Sequence, residues 1–204
     1  MFENNQKKQE VYNQILDFSK TISNKKEGAL FVIAKDNKFK GLYEKLYPQI
    51  IDHANIFEKG AKELILKLAE LDGAFLIDNK GNIIAFGTRI TKSKVLPGYG
   101  TKHAAAVGIT EYIKDSTAIL VSEESGWIKV FKTGKLIIEI DPTKNTPPSI
   151  MHKIISFITD NDTALLATAG ASAAIMGVIP VVVVSGTYLA IKTTSNIIKK
   201  SLKR

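Results

Sequence analysis

Ala29-Leu30-Phe31-Val32-Ile33-Ala34 is six apolar residues in a row between the polar stretch Asn24 to Gly28 and the charged Lys35-Asp36. A run this short, bounded by turn residues, fits a buried strand better than a helix. Similar runs recur at Phe75 to Asp78, Asn82 to Thr88, Thr117 to Val121, Trp127 to Phe131 and Leu136 to Ile140. Two pairs of them are joined by tight polar connections, Asn79-Lys80-Gly81 and Lys132-Thr133-Gly134-Lys135, which are hairpin signals. Between the strands lie helical patterns: Gln9 to Ile22, with Val11, Ile15, Phe18 and Ile22 on one face; Phe57 to Leu71, with Leu64, Ile65, Leu68 and Leu71 inward; and Thr101 to Lys114. Strands alternating with helices in this way predict an α/β fold, a central mixed β-sheet flanked by helices.

The chain divides into four stretches. Residues 1–26 form an N-terminal helix expected to lie against the domain, and residues 27–141 form that domain. Residues 142–162, opened by Asp141-Pro142 and closed by Pro147-Pro148 and a short helix, read as a linker. From Thr163 to Ile191 there is no charged residue, and Lys192, Lys199, Lys200, Lys203 and Arg204 follow. Residues 163–204 are therefore expected to be an apolar, membrane-associated tail with a basic end. Three arrangements remain open for it: a re-entrant hairpin turning near Pro180, a simple span, and a soluble or self-associating helical pair. Gly170 and Ala174, and likewise Ala173 and Gly177, stand four apart, the spacing at which small residues let membrane helices approach closely.

A chain of 204 residues with a formal net charge of +8 suits an anionic partner. The basic residues are spread along the chain and not gathered on an aromatic-laced segment, which argues against nucleic acid as that partner. Cysteine is absent, which removes disulfide scaffolds and thiolate metal sites. The polar start, Met1 to Glu10, offers no signal peptide.

Chemistry concentrates in three places. Gly100-Thr101-Lys102-His103 follows the loop ending Pro97-Gly98-Tyr99 and opens a helix. A glycine that frees backbone N–H groups, a hydroxyl and a cation at a helix start can hold a polyphosphate. Asp72-Gly73-Ala74 sets a carboxylate just before a strand, where it can draw the proton from an attacking hydroxyl or hold a metal. Ser122-Glu123-Glu124-Ser125-Gly126 follows another strand and offers a hydroxyl and two carboxylates; in an extended chain only one glutamate would face a shared site. Trp127 and Phe131 read as core, and His53 and His152 as surface or satisfied histidines.

From about Glu27 to Leu136, the order and spacing of these three motifs resemble the diadenylate cyclase domain. That domain occurs in the DNA-integrity scanning protein and in membrane-bound cyclic di-AMP synthases. The resemblance implies a nucleotidyltransferase that condenses two ATP into cyclic di-AMP and two pyrophosphates, with two domains face to face as a homodimer or higher oligomer. It implies Asp72 and His103 as catalytic residues, and Gly73, Ala74, Gly100, Thr101, Lys102 and Ser122 as ATP-binding. It also implies Asp72, His103, Glu123 and Glu124 around Mg²⁺ or Mn²⁺. With the apolar tail, it implies a site on the cytoplasmic face of the cell membrane, or a cytoplasmic one. The sequence departs from the family's Gly-Thr-Arg-His-Arg pattern: Lys102 stands for the first arginine and Ala104 for the second, with Arg89 and Lys92 as candidate compensating cations. Leu71 stands where some membrane-bound members carry histidine. Those departures leave a catalytically weak nucleotide or cyclic-dinucleotide sensor, controlling the tail, as the alternative.

Overall fold

The computed structural model describes residues 2–51, 54–95, 98, 100–144 and 146–159. The elements run α1 (Phe2–Asn24), β1 (Ala29–Ala34), β2 (Tyr43–Lys45), α2 (Ala61–Leu68), β3 (Ala74–Asp78), β4 (Ile83–Ile90), α3 (Thr101–Tyr112), β5 (Thr117–Val121), β6 (Ile128–Lys132), β7 (Lys135–Ile140) and α4 (Pro148–Thr159). The seven strands form one mixed sheet in the order β2-β4-β3-β1-β5-β6-β7. Only β1 and β3 pair in parallel; the other neighbours are antiparallel.

Alternation along the central strands divides the core into two layers. Phe31 and Ile33 of β1, Phe75 and Ile77 of β3, Ile119 of β5 and Val130 of β6 pack on one face, under α1, α2 and α4. Leu30 and Val32, Leu76, Leu120 and Phe131 point the other way, under α3 through Ala106, Val107 and Ile109. The unbroken apolar run at Ala29–Ala34 follows from this arrangement, since a central strand covered on both faces has no solvent side.

The helix α4 lies beyond the prolines that open residues 142–162, and its Met151, Ile154, Ile155 and Ile158 join the same apolar cluster as Val11, Ile15 and Phe18 of α1. Two buried lysines fasten its end: Lys8 Nζ donates to the Thr159 carbonyl at 3.1 Å and Lys132 Nζ to the Ile158 carbonyl at 2.8 Å. Cations at a helix C-terminus satisfy its last carbonyls and oppose its dipole. Among the described residues no helix is long and apolar enough to cross a membrane. The expected tail, residues 163–204, lies outside the described residues, as do His53, Pro97 and Tyr99.

Register gathers the three motifs at one end of the sheet. Leu30 pairs with Ala74, Ala29 with Val121, Val121 with Ile128, and Ala74 with Thr88. The segment leading into β3, the one leaving β5, the start of β6 and the end of β4 therefore meet there. The helix α3, which covers that face among the described residues, begins at the same end.

Candidate active site

Asp72 and Gly73 form the turn into β3. Gly73 has φ +103°, and a Cβ there would lie 2.5 Å from the Thr88 nitrogen and 2.7 Å from the Gly87 carbonyl carbon, so only glycine fits. Its amide donates to Asp72 Oδ1 at 2.8 Å, which orients the carboxylate. Thr88 Oγ1 closes the turn from β4 by donating to the Ala74 carbonyl at 2.9 Å. The Asp72 side chain remains 76% exposed. It borders a cleft of about 330 Å³ shared with Thr88, Arg89, Thr101, Lys102 and Ala104. Leu71, next to it, packs against the core on the opposite side of the sheet.

Gly100 precedes α3 with extended backbone, φ −75° and ψ 176°, and its carbonyl accepts the first helical bonds from the amides of His103 and Ala104. The amides of Thr101 and Lys102 lie ahead of that ladder and face outward, as helix-start amides do. Lys102 Nζ stands 4.0 Å from Asp72 Oδ1. Ala104 is buried against the Asp72 cleft. Of the two candidate compensating cations, Arg89 borders that cleft and pairs with Glu44 across the β2–β4 ladder. Lys92 instead sits 5.4 Å over the Tyr112 ring.

On the other side of the α3 start is a second cleft, of about 480 Å³, bordered by Thr101, Lys102, His103, Ser122, Glu123, Glu124 and Lys129. The segment Ser122 to Gly126 is a turn closed by the Gly126 amide on the Ser122 carbonyl at 2.7 Å. It is pinned from α1 by Ser23 Oγ, which donates to the Gly126 carbonyl at 2.5 Å. The expectation that one glutamate would face away assumed an extended chain. Because the backbone turns, both Glu123 and Glu124 border the cleft.

Lys129 was not singled out by the sequence. Its signal was positional: it falls between Trp127 and Phe131 on the face of β6 that meets α3. Its Nζ lies 3.4 Å from Glu139 Oε1 and 3.3 Å from His103 Nε2. His103, edge-on to Phe131 at 6.1 Å, is partly buried. That burial, with the Lys129 ammonium, holds its pKa down to about 4. His103 is thus a neutral imidazole at physiological pH. An ammonium facing Nε2 makes that nitrogen the acceptor and leaves the proton on Nδ1.

The two clefts share Thr101 and Lys102 and nothing else of the expected set. Asp72, Gly73 and Ala74 lie on one side; His103, Ser122, Glu123 and Glu124 lie on the other. Among the described residues no three His, Asp or Glu side chains stand close enough together to hold a metal.

The model for the family described as DisA bacterial checkpoint controller nucleotide-binding matches residues 18–136, more than half of the chain. Relatives called diadenylate cyclase include one from Methanocaldococcus jannaschii, 35% identical over 46% of this chain and 31% of its own. Another, from Haloferax volcanii, is 31% identical over 56% of this chain and 45% of its own. A third, from Listeria monocytogenes, is 32% identical over 63% of this chain and 44% of its own. The matched part thus spans less than half the length of these relatives. Among solved structures, a double-cysteine variant of DacA from Staphylococcus aureus superposes with a TM-score of 0.52 at 25% identity, over 74% of this chain and 95% of that one. A hypothetical membrane spanning protein from Bacillus cereus superposes with a TM-score of 0.50 at 26% identity, over 61% of each chain. With a seven-stranded mixed sheet of the same kind and the three motifs gathered at the start of α3, the chain belongs to the DisA-type nucleotide-binding, or diadenylate cyclase, family.

Proposed function

We propose that this chain is a diadenylate cyclase, condensing two ATP into cyclic di-AMP and two pyrophosphates. The observation that carries the reading is the sharing of one helix start by two clefts. On one side Asp72 offers a carboxylate to a ribose hydroxyl; on the other Ser122 and Lys102, with the amides of Thr101 and Lys102, offer donors to phosphate oxygens. A nucleotide laid across the start of α3 would meet both, with its triphosphate on the helix N-terminus. Asp72 would take or orient the proton of the attacking hydroxyl, and Lys102 and the helix amides would offset charge on the leaving pyrophosphate.

The exposure of Asp72 supports a face-to-face pair. A carboxylate three-quarters open to solvent is poorly placed for proton transfer until a second surface excludes water. A facing copy would supply that surface and the second α-phosphate. Mg²⁺ or Mn²⁺, bound with the triphosphate, would offset the charge of its phosphates. We further propose that the charge-free stretch 163–191 tethers the domain to the cytoplasmic face of a membrane. A hairpin turning near Pro180 would leave both the domain and the basic end on that side.

One observation favours a second reading, a nucleotide or cyclic-dinucleotide sensor that controls the tail: the Asp72 cleft is lined by the methyl group of Ala104 where the family pattern has arginine. Incubating the full chain, in detergent, with equal amounts of unlabelled and ¹⁵N-labelled ATP separates the two. A cyclase gives cyclic dinucleotide in light, mixed and heavy forms near 1:2:1; a sensor binds both and converts neither.

A further inference from the structure

Lys129 is out of place by the logic of its strand. Its neighbours Ile128 and Val130 are fully buried against α1 and α4, and Phe131, two residues on, packs beneath α3. An apolar residue would fill position 129 at lower cost, since a buried ion pair is often no more stabilising than an apolar pair of similar volume. The pair is nonetheless present, with the side chains of Lys129 and Glu139 only 11% and 3% exposed. The two residues face each other across the β6–β7 ladder, which fixes the ammonium in place without a long flexible reach. What the ammonium meets next is the second cleft, whose wall it forms with Ser122, Lys102 and His103.

We propose that Lys129 is a phosphate-binding residue of this chain, a cation delivered from the floor of the sheet to the nucleotide's phosphates in the Ser122 cleft. The inference rests on the proposed nucleotide function and adds a binding residue that lies outside all three motifs. Glu139 is its positioning residue: it keeps the ammonium aimed, and being almost wholly buried behind it, it presents no carboxylate to the incoming anion. Lys129 and Lys102 would approach the phosphates from different elements, β6 and α3. Two cations converging from separate elements fix an orientation that one flexible lysine cannot.

The test uses 3′-deoxy-ATP, which lacks the attacking hydroxyl and so reports binding without turnover, beside 3′-deoxyadenosine, which lacks the phosphates. Lys129→Met alone would strand a buried carboxylate, so the informative protein is Lys129→Met/Glu139→Gln, with Lys129→Arg as the conservative variant. Calorimetry on the full chain in detergent should find 3′-deoxy-ATP about 10- to 100-fold weaker in the double variant, the range of one charged hydrogen bond. Binding of 3′-deoxyadenosine should be unchanged, and Lys129→Arg should retain most of the affinity. Equal affinity of wild type and double variant for 3′-deoxy-ATP overturns the inference and leaves the nucleotide function standing. Equal losses for both ligands overturn it too, by making the pair a structural one. A wild-type chain that binds neither ligand would remove the nucleotide reading and this inference together.

Discussion

Replacing Gly73 by alanine puts the geometry of the Asp72 turn to a quantitative test. At φ +103° an L-residue is strained, by about 1 to 2 kcal/mol on the scale of left-handed backbone. The new Cβ would also stand 2.5 Å from the Thr88 nitrogen and 2.9 Å from the Thr88 carbonyl oxygen. These are backbone atoms of β4 that cannot swing aside, so overpacking adds about 1 to 3 kcal/mol. Loss of unfolded-state freedom returns about 0.4 to 1 kcal/mol, leaving a net destabilisation of about 1 to 4.5 kcal/mol. Gly41 is the control, since its φ is +75° but nothing lies within 4 Å of a Cβ built there. Trp127, the single tryptophan, reports unfolding in urea titrations of the full chain in micelles. Gly73→Ala should unfold at clearly lower urea than Gly41→Ala, and should lose product formation even where it is folded, because the amide that orients Asp72 has moved. Equal midpoints for the two variants would refute the close approach of β3 and β4 on which the site's geometry depends.

Lys102→Ala should weaken 3′-deoxy-ATP binding by about 1.5 to 3 kcal/mol, measured by calorimetry, whereas an unchanged affinity would make Lys102 an ordinary surface lysine. Arg89 borders the Asp72 cleft beside Ala104, so Arg89→Gln should slow product formation by about 30- to 1,000-fold while Lys92→Gln and Ala104→Arg change it little. Comparable losses in the Arg89 and Lys92 variants would refute that assignment. Burial and Lys129 lower the pKa of His103 to about 4 in the folded chain, against about 6.5 unfolded. The unfolded chain therefore takes up the proton first, and stability is level above pH 7 and falls as the pH drops from about 6.5 toward 4. Allowing for solvent screening at a half-exposed ring, the loss is about 1 kcal/mol. His103→Asn should flatten that part of a urea-midpoint profile, and a profile identical to wild type would show that His103 does not carry it.

Local pattern was enough wherever a strand is covered on both faces or a turn is short. The expected spans of β1 and β5 coincide with those observed, and the Asn79-Lys80-Gly81 connection joins the antiparallel pair β3 and β4. The expected helix Phe57 to Leu71 shrinks to Ala61–Leu68, because Gly60 in left-handed backbone starts it late. The edge strand β2, Tyr43–Lys45, left no trace: it is three residues long, partly exposed, and held only by its ladder to β4. The site divides in the same way. Asp72 stands beside a glycine, and Lys102 and Ser122 stand at element ends, all of which sequence can mark. Lys129 and Glu139 meet because β6 and β7 pair in one register, and a single lysine inside an apolar strand does not announce its partner or the cleft it faces. Which side of α3 each motif occupies was equally invisible, since the separation of Asp72 from Glu123 and Glu124 depends on where the helix start sits over the sheet.

If this helix start joins two nucleotides, the product itself is the thing to measure. The full chain in detergent is incubated with ATP and, separately, Mg²⁺, Mn²⁺ or Co²⁺, at several protein concentrations, with Asp72→Asn alongside; products are separated by mass and pyrophosphate is counted. The proposed condensation gives cyclic di-AMP with two pyrophosphates per product, specific activity rising with protein concentration as pairs form, and none from Asp72→Asn, which still binds 3′-deoxy-ATP within about tenfold of wild type. Wild-type protein that binds ATP yet stays silent with all three metals at the highest concentration, or an Asp72→Asn chain that turns over as fast as wild type, would contradict it.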